Sequence, residues 1–291
     1  MPPEEIKTAF IGPPGTCDCH MHVFGDPVRY PYSAARRNFP PADPLGKFLD
    51  DYLSLARRLG IERMVFVQPS TYGRDNACMV DAMQALGSNV RGIVDLDEHT
   101  SEAELDRLHR AGVRGVRINA GPPNRPVDST LMAKVVPQMT RMDAICAEIG
   151  WQLDLLGPCW LYEEMHDTLH GLKSNFTVAH FGMWRGQSGA ESPGFKRFLN
   201  LLNQGARKCW VKLTAPYRIG EPPLYADAVP IARALIKAAP DRVIWGSDYP
   251  FLSHADHVNA VDLFSLIPTW APDAATRKQL LVDNPRRLFG F

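Results

Sequence analysis

The chain has 291 residues, of which 32 are basic and 32 are acidic, so its formal net charge at pH 7 is zero. A hydrophobic fraction of 45% predicts a packed globular core and excludes a disordered protein. The balanced charge argues against a surface for nucleic acid or anionic membranes. The N-terminal MPPEEIKTAF lacks the apolar core of a secretory signal, and no apolar run reaches the roughly 18 residues of a membrane span. We therefore expect a soluble, cytoplasmic protein that binds no membrane.

Short apolar runs alternate with amphipathic patterns along the chain. The runs predict eight strands, at 16–24, 63–70, 90–97, 112–119, 151–157, 176–182, 209–216 and 242–250. Apolar residues at three- and four-residue spacing between them predict helices, among them 45–59, 128–149, 191–206 and 228–239. This alternation, without a charged linker, predicts an α/β fold: a single (β/α)8 TIM barrel forming one domain over residues 1–291.

The first predicted strand contains the motif TCDCHMHVFGDP, at residues 16–27. Because side chains alternate along a strand, Asp18, His20 and His22 are expected on one face. Cys17 and Cys19 are expected on the other face, packed against the helices. Two histidines at this spacing form either half of a metal site or a pair of hydrogen-bonding groups.

Further polar residues fall at the ends of other predicted strands. His180 ends the sixth strand and Asp248 the eighth. Since active sites of TIM barrels lie at the C-terminal ends of the strands, we expect both to meet His20 and His22 around one centre. Such a set could bind Zn²⁺ and leave a position open for water. Alternatively, the histidines could hydrogen-bond a substrate carbonyl while Asp248 acts as a general base on water.

Several segments resemble the amidohydrolase superfamily, and within it the amidohydrolase 2 branch. They are DCHMH at 18–22, VAHFG at 178–182, WGSDYP at 245–250 and NPRRLFG at 284–290. Within that branch the chain is most similar to the 2-pyrone-4,6-dicarboxylate lactonases. That likeness rests on CDCHMHVFG, VQPS followed by Asp75 and Asn76, GVRGVRIN, AHFG, and Arg218 with Ile219. The resemblance implies a distorted TIM barrel and a lactonase, an enzyme of aromatic-compound degradation that opens a carboxylated lactone.

The resemblance also bears on the cofactor. Metal-dependent members of the superfamily usually add a lysine or glutamate from a middle strand to the histidine pair. The strands here offer other residues instead: Arg117 and Asn119, Gln152 and Asp154, and Lys212 and Thr214. A cation beside Arg117 would be electrostatically disfavoured, so the ligand set looks incomplete. Because the similar lactonases work without a divalent metal, the resemblance implies that no cofactor is needed. The alternative is one Zn²⁺ or Mn²⁺ held by His20, His22, His180 and Asp248.

A mechanism follows from these residues and from the resemblance. The three histidines donate hydrogen bonds to the lactone carbonyl, and Asp248 takes a proton from water and returns it to the leaving oxygen. Guanidinium groups suit substrate carboxylates. The candidate substrate-binding residues are Arg117, Arg218, Arg125, Ser70, Tyr72 and Asp154.

Other functions stay open at this point. Asp154 would repel a dicarboxylate unless it is paired with a cation, which leaves a sugar lactone as an alternative substrate for a hydrolase or an isomerase. A mononuclear Zn²⁺ or Mn²⁺ hydrolase or decarboxylase is a further alternative. A non-catalytic barrel that binds a carboxylated metabolite is the alternative outside enzymes. In each case the expected partner is a small molecule.

Overall fold

A computed structural model describes residues 10–36, 40, 42–121, 126–204 and 208–291. Eight parallel strands lie side by side in chain order, each hydrogen-bonded to the next. They are β1 (Thr16–Met21), β2 (Ile61–Val67), β3 (Val90–Val94), β4 (Val113–Asn119), β5 (Gln152–Leu156), β6 (Asn175–Val178), β7 (Cys209–Leu213) and β8 (Val243–Trp245). The predicted (β/α)8 TIM barrel is confirmed.

Helices connect the strands and surround the barrel. They are α1 (Leu45–Leu59), α2 (Ala77–Leu86), α3 (Glu102–Arg110), α4 (Ser129–Ile149), α5 (Cys159–Glu164), α6 (His166–Gly171), α7 (Gly186–Glu191), α8 (Pro193–Gln204), α9 (Ala228–Ala238), α10 (Ala260–Ser265), α11 (Ile267–Trp270), α12 (Ala274–Lys278) and α13 (Asn284–Phe289). None of these described helices is long and apolar enough to cross a bilayer.

Helix α1 shows how the sequence pattern becomes structure. The helix covers the predicted 45–59 and ends at Gly60, whose φ of 74° is the left-handed conformation that glycine adopts without strain. Its buried residues recur at helical spacing and face the barrel: Phe48, Leu49, Tyr52, Ala56 and Leu59. Burial of the large apolar side chains among them, such as Phe48 and Leu59, contributes about 1.5–3 kcal/mol each.

The first strand departs from regular alternation. Between its pairings of Asp18 with Met64 and of Met21 with Phe66, β1 advances three residues while β2 advances two. One extra residue therefore forms a β-bulge, a feature that re-aims side chains and is frequent beside active sites. The bulge turns His20 into the barrel.

The bulge changes the faces expected from the motif. Cys17 and Cys19 lie in a cluster with Val65, Val67, Ile93 and Ile244 of the strands and Phe289 of α13. They face the inside of the barrel and not the surrounding helices, so that prediction is wrong. Asp18, expected beside the histidines, instead accepts hydrogen bonds from Tyr52 Oη on α1 (2.7 Å) and from the Ser247 backbone (2.9 Å). Its buried carboxylate joins β1 to the segment after β8.

Backbone hydrogen bonds close the barrel between β1 and the segment that follows β8. Asp248 N donates to His20 O and His22 N donates to Tyr249 O, both at 2.8 Å. Gly246 permits this close approach, because a Cβ there would lie 2.6 Å from His20 N. The closure of the barrel brings the first and last predicted catalytic segments together.

Candidate active site

The three predicted histidines converge on one oxygen of Asp248. Its Oδ1 lies 3.4 Å from His22 Nε2, 3.5 Å from His20 Nε2 and 4.0 Å from His180 Nε2. All four residues are buried. His20 Nε2 and Asp248 Oδ1 have no hydrogen-bond partner in the protein. The two atoms lie 3.5 Å apart, so both are available to a ligand at the same point, and buried polar atoms are usually paired.

Strained backbone presents two of these side chains. His180 follows β6 with φ 52°, and Asp248 follows β8 with φ 63°. Both lie in the left-handed region, which non-glycine residues seldom adopt and which recurs at functional sites. Both residues come shortly after a strand end, in the segments whose side chains line the mouth of a barrel.

The second oxygen of Asp248 is held by two residues from the turn Pro216–Arg218 after β7. Tyr217 Oη donates to Oδ2 at 2.5 Å, and Arg218 Nη2 donates to it at 3.2 Å. Burial alone would raise the pKa of Asp248, but the His180 ring and the Arg218 guanidinium hold it well below its ordinary value. Asp248 is therefore a carboxylate at neutral pH.

The sequence analysis missed Tyr217. The available signal was its position next to Arg218, directly after the predicted strand at 209–216. Side chains from such segments line the mouth of a barrel. Burial and the neighbouring Asp248 raise the pKa of the Tyr217 phenol well above its ordinary value, so it remains a donor.

His20 is oriented by a buried ion pair inside the barrel. Lys212 Nζ lies 3.4 Å from His20 Nδ1 and forms a salt bridge with Asp154. Thr177 Oγ1 also donates to Asp154, at 3.0 Å. Burial and then the Lys212 charge hold the pKa of His20 well below its ordinary value, so the ring is neutral. Asp154, predicted to bind substrate, is thus the buried counter-ion of Lys212.

The other two rings are fixed through Nδ1. His22 Nδ1 lies 2.7 Å from Val67 O, and since a carbonyl only accepts, Nδ1 carries the hydrogen. His180 Nδ1 lies 2.6 Å from Thr214 Oγ1, which also accepts from the His180 backbone. This pattern favours donation of the Thr214 hydroxyl hydrogen to Nδ1, which leaves the hydrogen of His180 on Nε2. Burial lowers the pKa of His180 to about 3.

Two guanidinium groups lie at the site. Arg117 on β4 is buried, donates to Gln68 O at 2.8 Å and leaves its Nε without a partner. It interacts electrostatically with Asp154, Asp248 and Arg218, which places it among the charges of the site. The Arg218 side chain is 26% exposed and its Nε also lacks a partner. Both groups can donate to an anionic ligand.

The fit of a divalent metal can be tested on the rings themselves. Within the part of the chain that the structure describes, His20, His22 and Asp248 form a group whose ligand atoms all lie within 4.8 Å of one another. His22 fits in its neutral form, because the hydrogen on Nδ1 then leaves a lone pair on Nε2. His20 does not fit, because Lys212 occupies the lone pair of Nδ1 and the hydrogen is then on Nε2. The donor set is therefore incomplete for a metal.

The remaining predicted residues differ in their placement. Ser70 is exposed. Tyr72 is buried, accepts from Gly25 N at 3.0 Å and packs against Phe24, so it supports the segment after β1. Arg125 lies outside the described residues.

Comparison with known proteins identifies the family. The family model described as Amidohydrolase matches residues 17–291. The chain belongs to the amidohydrolase family. A 4-sulfomuconolactone hydrolase from Hydrogenophaga intermedia is 35% identical to this amidohydrolase over 97% of this chain and 90% of its own length. A 2-pyrone-4,6-dicarboxylate hydrolase from Comamonas testosteroni is also 35% identical, over 97% of this chain and 92% of its own.

A solved structure shares the fold of this amidohydrolase. It is a probable 2-pyrone-4,6-dicarboxylic acid hydrolase from Acinetobacter baumannii with citric acid bound, with a TM-score of 0.77 and 25% identity. The match covers 95% of this chain and 100% of that chain. The resemblance deduced from the sequence motifs is confirmed.

Proposed function

We propose that this amidohydrolase hydrolyses a lactone that carries carboxylates, such as 2-pyrone-4,6-dicarboxylate. The observation that carries the proposal is the convergence of His20, His22 and His180 on Asp248, with unpartnered buried atoms left for a ligand. The relatives named as hydrolases of sulfomuconolactone and pyrone dicarboxylate support the substrate class, because both substrates are anionic lactones.

The hydrogen positions divide the three rings into two roles. His20 and His180 carry hydrogen on Nε2, so both donate to the lactone carbonyl oxygen and stabilise the negative charge that develops there. His22 carries hydrogen on Nδ1, so its Nε2 accepts a hydrogen from water. The sequence-based mechanism, with three donors, is refined to two donors and one acceptor.

Asp248 then moves the proton. Water held by His22 Nε2 and Asp248 Oδ1 attacks the carbonyl carbon while Oδ1 takes one of its protons. The ring C–O bond breaks, the leaving oxygen takes that proton back from Asp248, and a carboxylic acid is formed. The low pKa of Asp248 favours the second transfer, because its protonated form is a strong acid. The first transfer is assisted when an anionic substrate offsets the charge of Arg218.

Charge recognition accounts for the choice of a carboxylated substrate. Arg117 and Arg218 both have an unpartnered Nε at the site. A guanidinium binds a carboxylate through two parallel hydrogen bonds, which fixes orientation as well as adding affinity. Asp154 does not repel the substrate carboxylates strongly, because Lys212 neutralises it inside the barrel.

The chemistry proposed here uses no divalent metal. The N–H groups of the His20 and His180 rings polarise the lactone carbonyl, and Asp248 is the base. The supporting observation is the contact of the Lys212 ammonium with His20 Nδ1 at 3.4 Å, which favours a hydrogen on Nε2, the atom that would have to ligate.

The test is a hydrolysis screen with and without a chelator. Pyrone dicarboxylate, muconolactones and sugar lactones are the substrates, and the dimethyl ester of pyrone dicarboxylate is the matched uncharged control. We expect hydrolysis of an anionic lactone that a chelator does not reduce, and at least about tenfold lower kcat/KM for the ester. No activity on any lactone would refute the proposed function, and activity lost on chelation and restored by Zn²⁺ would refute the metal-free mechanism.

A further inference from the structure

Lys212 is a fully buried cation directly behind the catalytic cluster. It lies on β7, forms a salt bridge with Asp154 and brings its Nζ to 3.4 Å from His20 Nδ1. Burying an ion pair is costly, and an apolar pair of similar volume would often be as stable or more stable. Stability by itself therefore does not explain a lysine at this position.

We propose that Lys212 is a positioning residue that keeps His20 as a hydrogen-bond donor and thereby prevents the cluster from binding a divalent metal. The proposal rests on the function proposed above and names the residue that decides between its metal-free and metal-dependent forms.

Lys212 can only donate hydrogen bonds, and this restricts which nitrogen of His20 carries the hydrogen. An ammonium group has three donors and no acceptor, so its partner must supply a lone pair. His20 Nδ1 supplies it, and a neutral imidazole then carries its hydrogen on Nε2. Lys212 thus points an N–H of His20 toward the place where the substrate oxygen binds.

The two histidines of the motif, His20 and His22, have opposite partners at Nδ1. A metal-ligating histidine donates its other N–H to a carbonyl or carboxylate, as His22 does to Val67 O. His20 has the opposite arrangement, since its Nδ1 faces a cation. The two histidines of one H-x-H motif therefore differ: one is oriented as a ligand and the other as a donor.

Positive charge around His20 also disfavours a divalent ion. A divalent ion beside His20 would lie close to the Lys212 ammonium, with two guanidinium groups also at the site. Water screens little of the repulsion from Lys212 and Arg117, because both are buried. Two carboxylates offset part of this positive charge, since Asp154 pairs with Lys212 and Asp248 accepts from Arg218.

The experiment compares Zn²⁺ binding by three proteins, each stripped of metal and measured by calorimetry. They are the wild type, Asp154→Asn, and the double variant Lys212→Met with Asp154→Asn. The double variant avoids an unpaired buried carboxylate, which would destabilise the barrel. Asp154→Asn is the matched control for the change at position 154, because it keeps the Lys212 side chain beside His20. We expect the double variant to bind one Zn²⁺ at least about tenfold more tightly than both other proteins.

Equal Zn²⁺ affinity in all three folded proteins would overturn the proposal, as would tight Zn²⁺ binding by the wild type. These outcomes are independent of the lactone screen. A wild type that hydrolyses no lactone while the double variant gains Zn²⁺ affinity leaves the role of Lys212 standing and refutes only the proposed function.

Nitrogen NMR of histidine-labelled protein supplies a second measurement, with His20→Gln used to assign the His20 signals. We expect the hydrogen of His20 on Nε2 in the wild type. A hydrogen on Nδ1 would overturn the proposal whether or not the double variant folds.

Discussion

Replacement of Asp248 by asparagine removes the proposed base with little change of shape. Asparagine tolerates the left-handed backbone of this position, where φ is 63°, better than alanine does. Its carbonyl oxygen can still accept from Tyr217 Oη and Arg218 Nη2, which lie 2.5 and 3.2 Å from Oδ2. The variant therefore tests proton transfer more directly than it tests folding.

The expected loss follows from the role of the carboxylate. General-base catalysis contributes about 10²–10⁴-fold, so kcat should fall by that factor, or about 2.7–5.4 kcal/mol in activation free energy. The loss of a negative charge at 3.2 Å from Arg218 frees that guanidinium for the substrate, so KM should stay the same or fall.

Kinetics and calorimetry together make the test of Asp248→Asn decisive. The kinetics follow hydrolysis of the best anionic lactone from the screen, and calorimetry follows binding of a lactone to the variant. Retention of binding with loss of turnover also excludes a barrel that only binds a metabolite. A kcat within about threefold of the wild type, or a change confined to KM, would refute the assignment of Asp248 as the base.

Three further predictions address the surroundings of the base. Arg218→Met should raise KM for an anionic lactone about tenfold or more, and much less for its ester, because a charged hydrogen bond is lost; equal effects on both substrates would contradict anion binding. Tyr217→Phe removes a donor that stabilises the Asp248 carboxylate, so the acidic limb of the kcat/KM profile should move to higher pH; an unmoved limb would argue against this coupling. Gly246→Ala places a Cβ 2.6 Å from His20 N and should lower the free energy of unfolding by about 1–3 kcal/mol in urea denaturation; a wild-type midpoint would show that the closure tolerates a side chain.

Much of the fold was predictable because its signals are local. Alternating apolar runs and amphipathic segments indicated eight strands and helices, and the predicted helix at 45–59 coincides with α1. The face assignment in β1 failed for a physical reason. Strict alternation assumes an unbroken ladder, whereas the extra residue between Asp18 and Met21 depends on pairing with β2, which lies more than 40 residues away in the chain.

The sequence by itself determined the residue types of the proposed catalytic cluster and the strand ends at which they lie. His20, His22, His180 and Asp248 could be grouped because parallel strands of a barrel end at the same mouth. Only the tertiary structure decided what each group does there. The hydrogen of His20 depends on Lys212, that of His22 on Val67 O, and the second oxygen of Asp248 on Tyr217. These partners come from other strands and turns, so their effect on proton positions exists only once the barrel has closed.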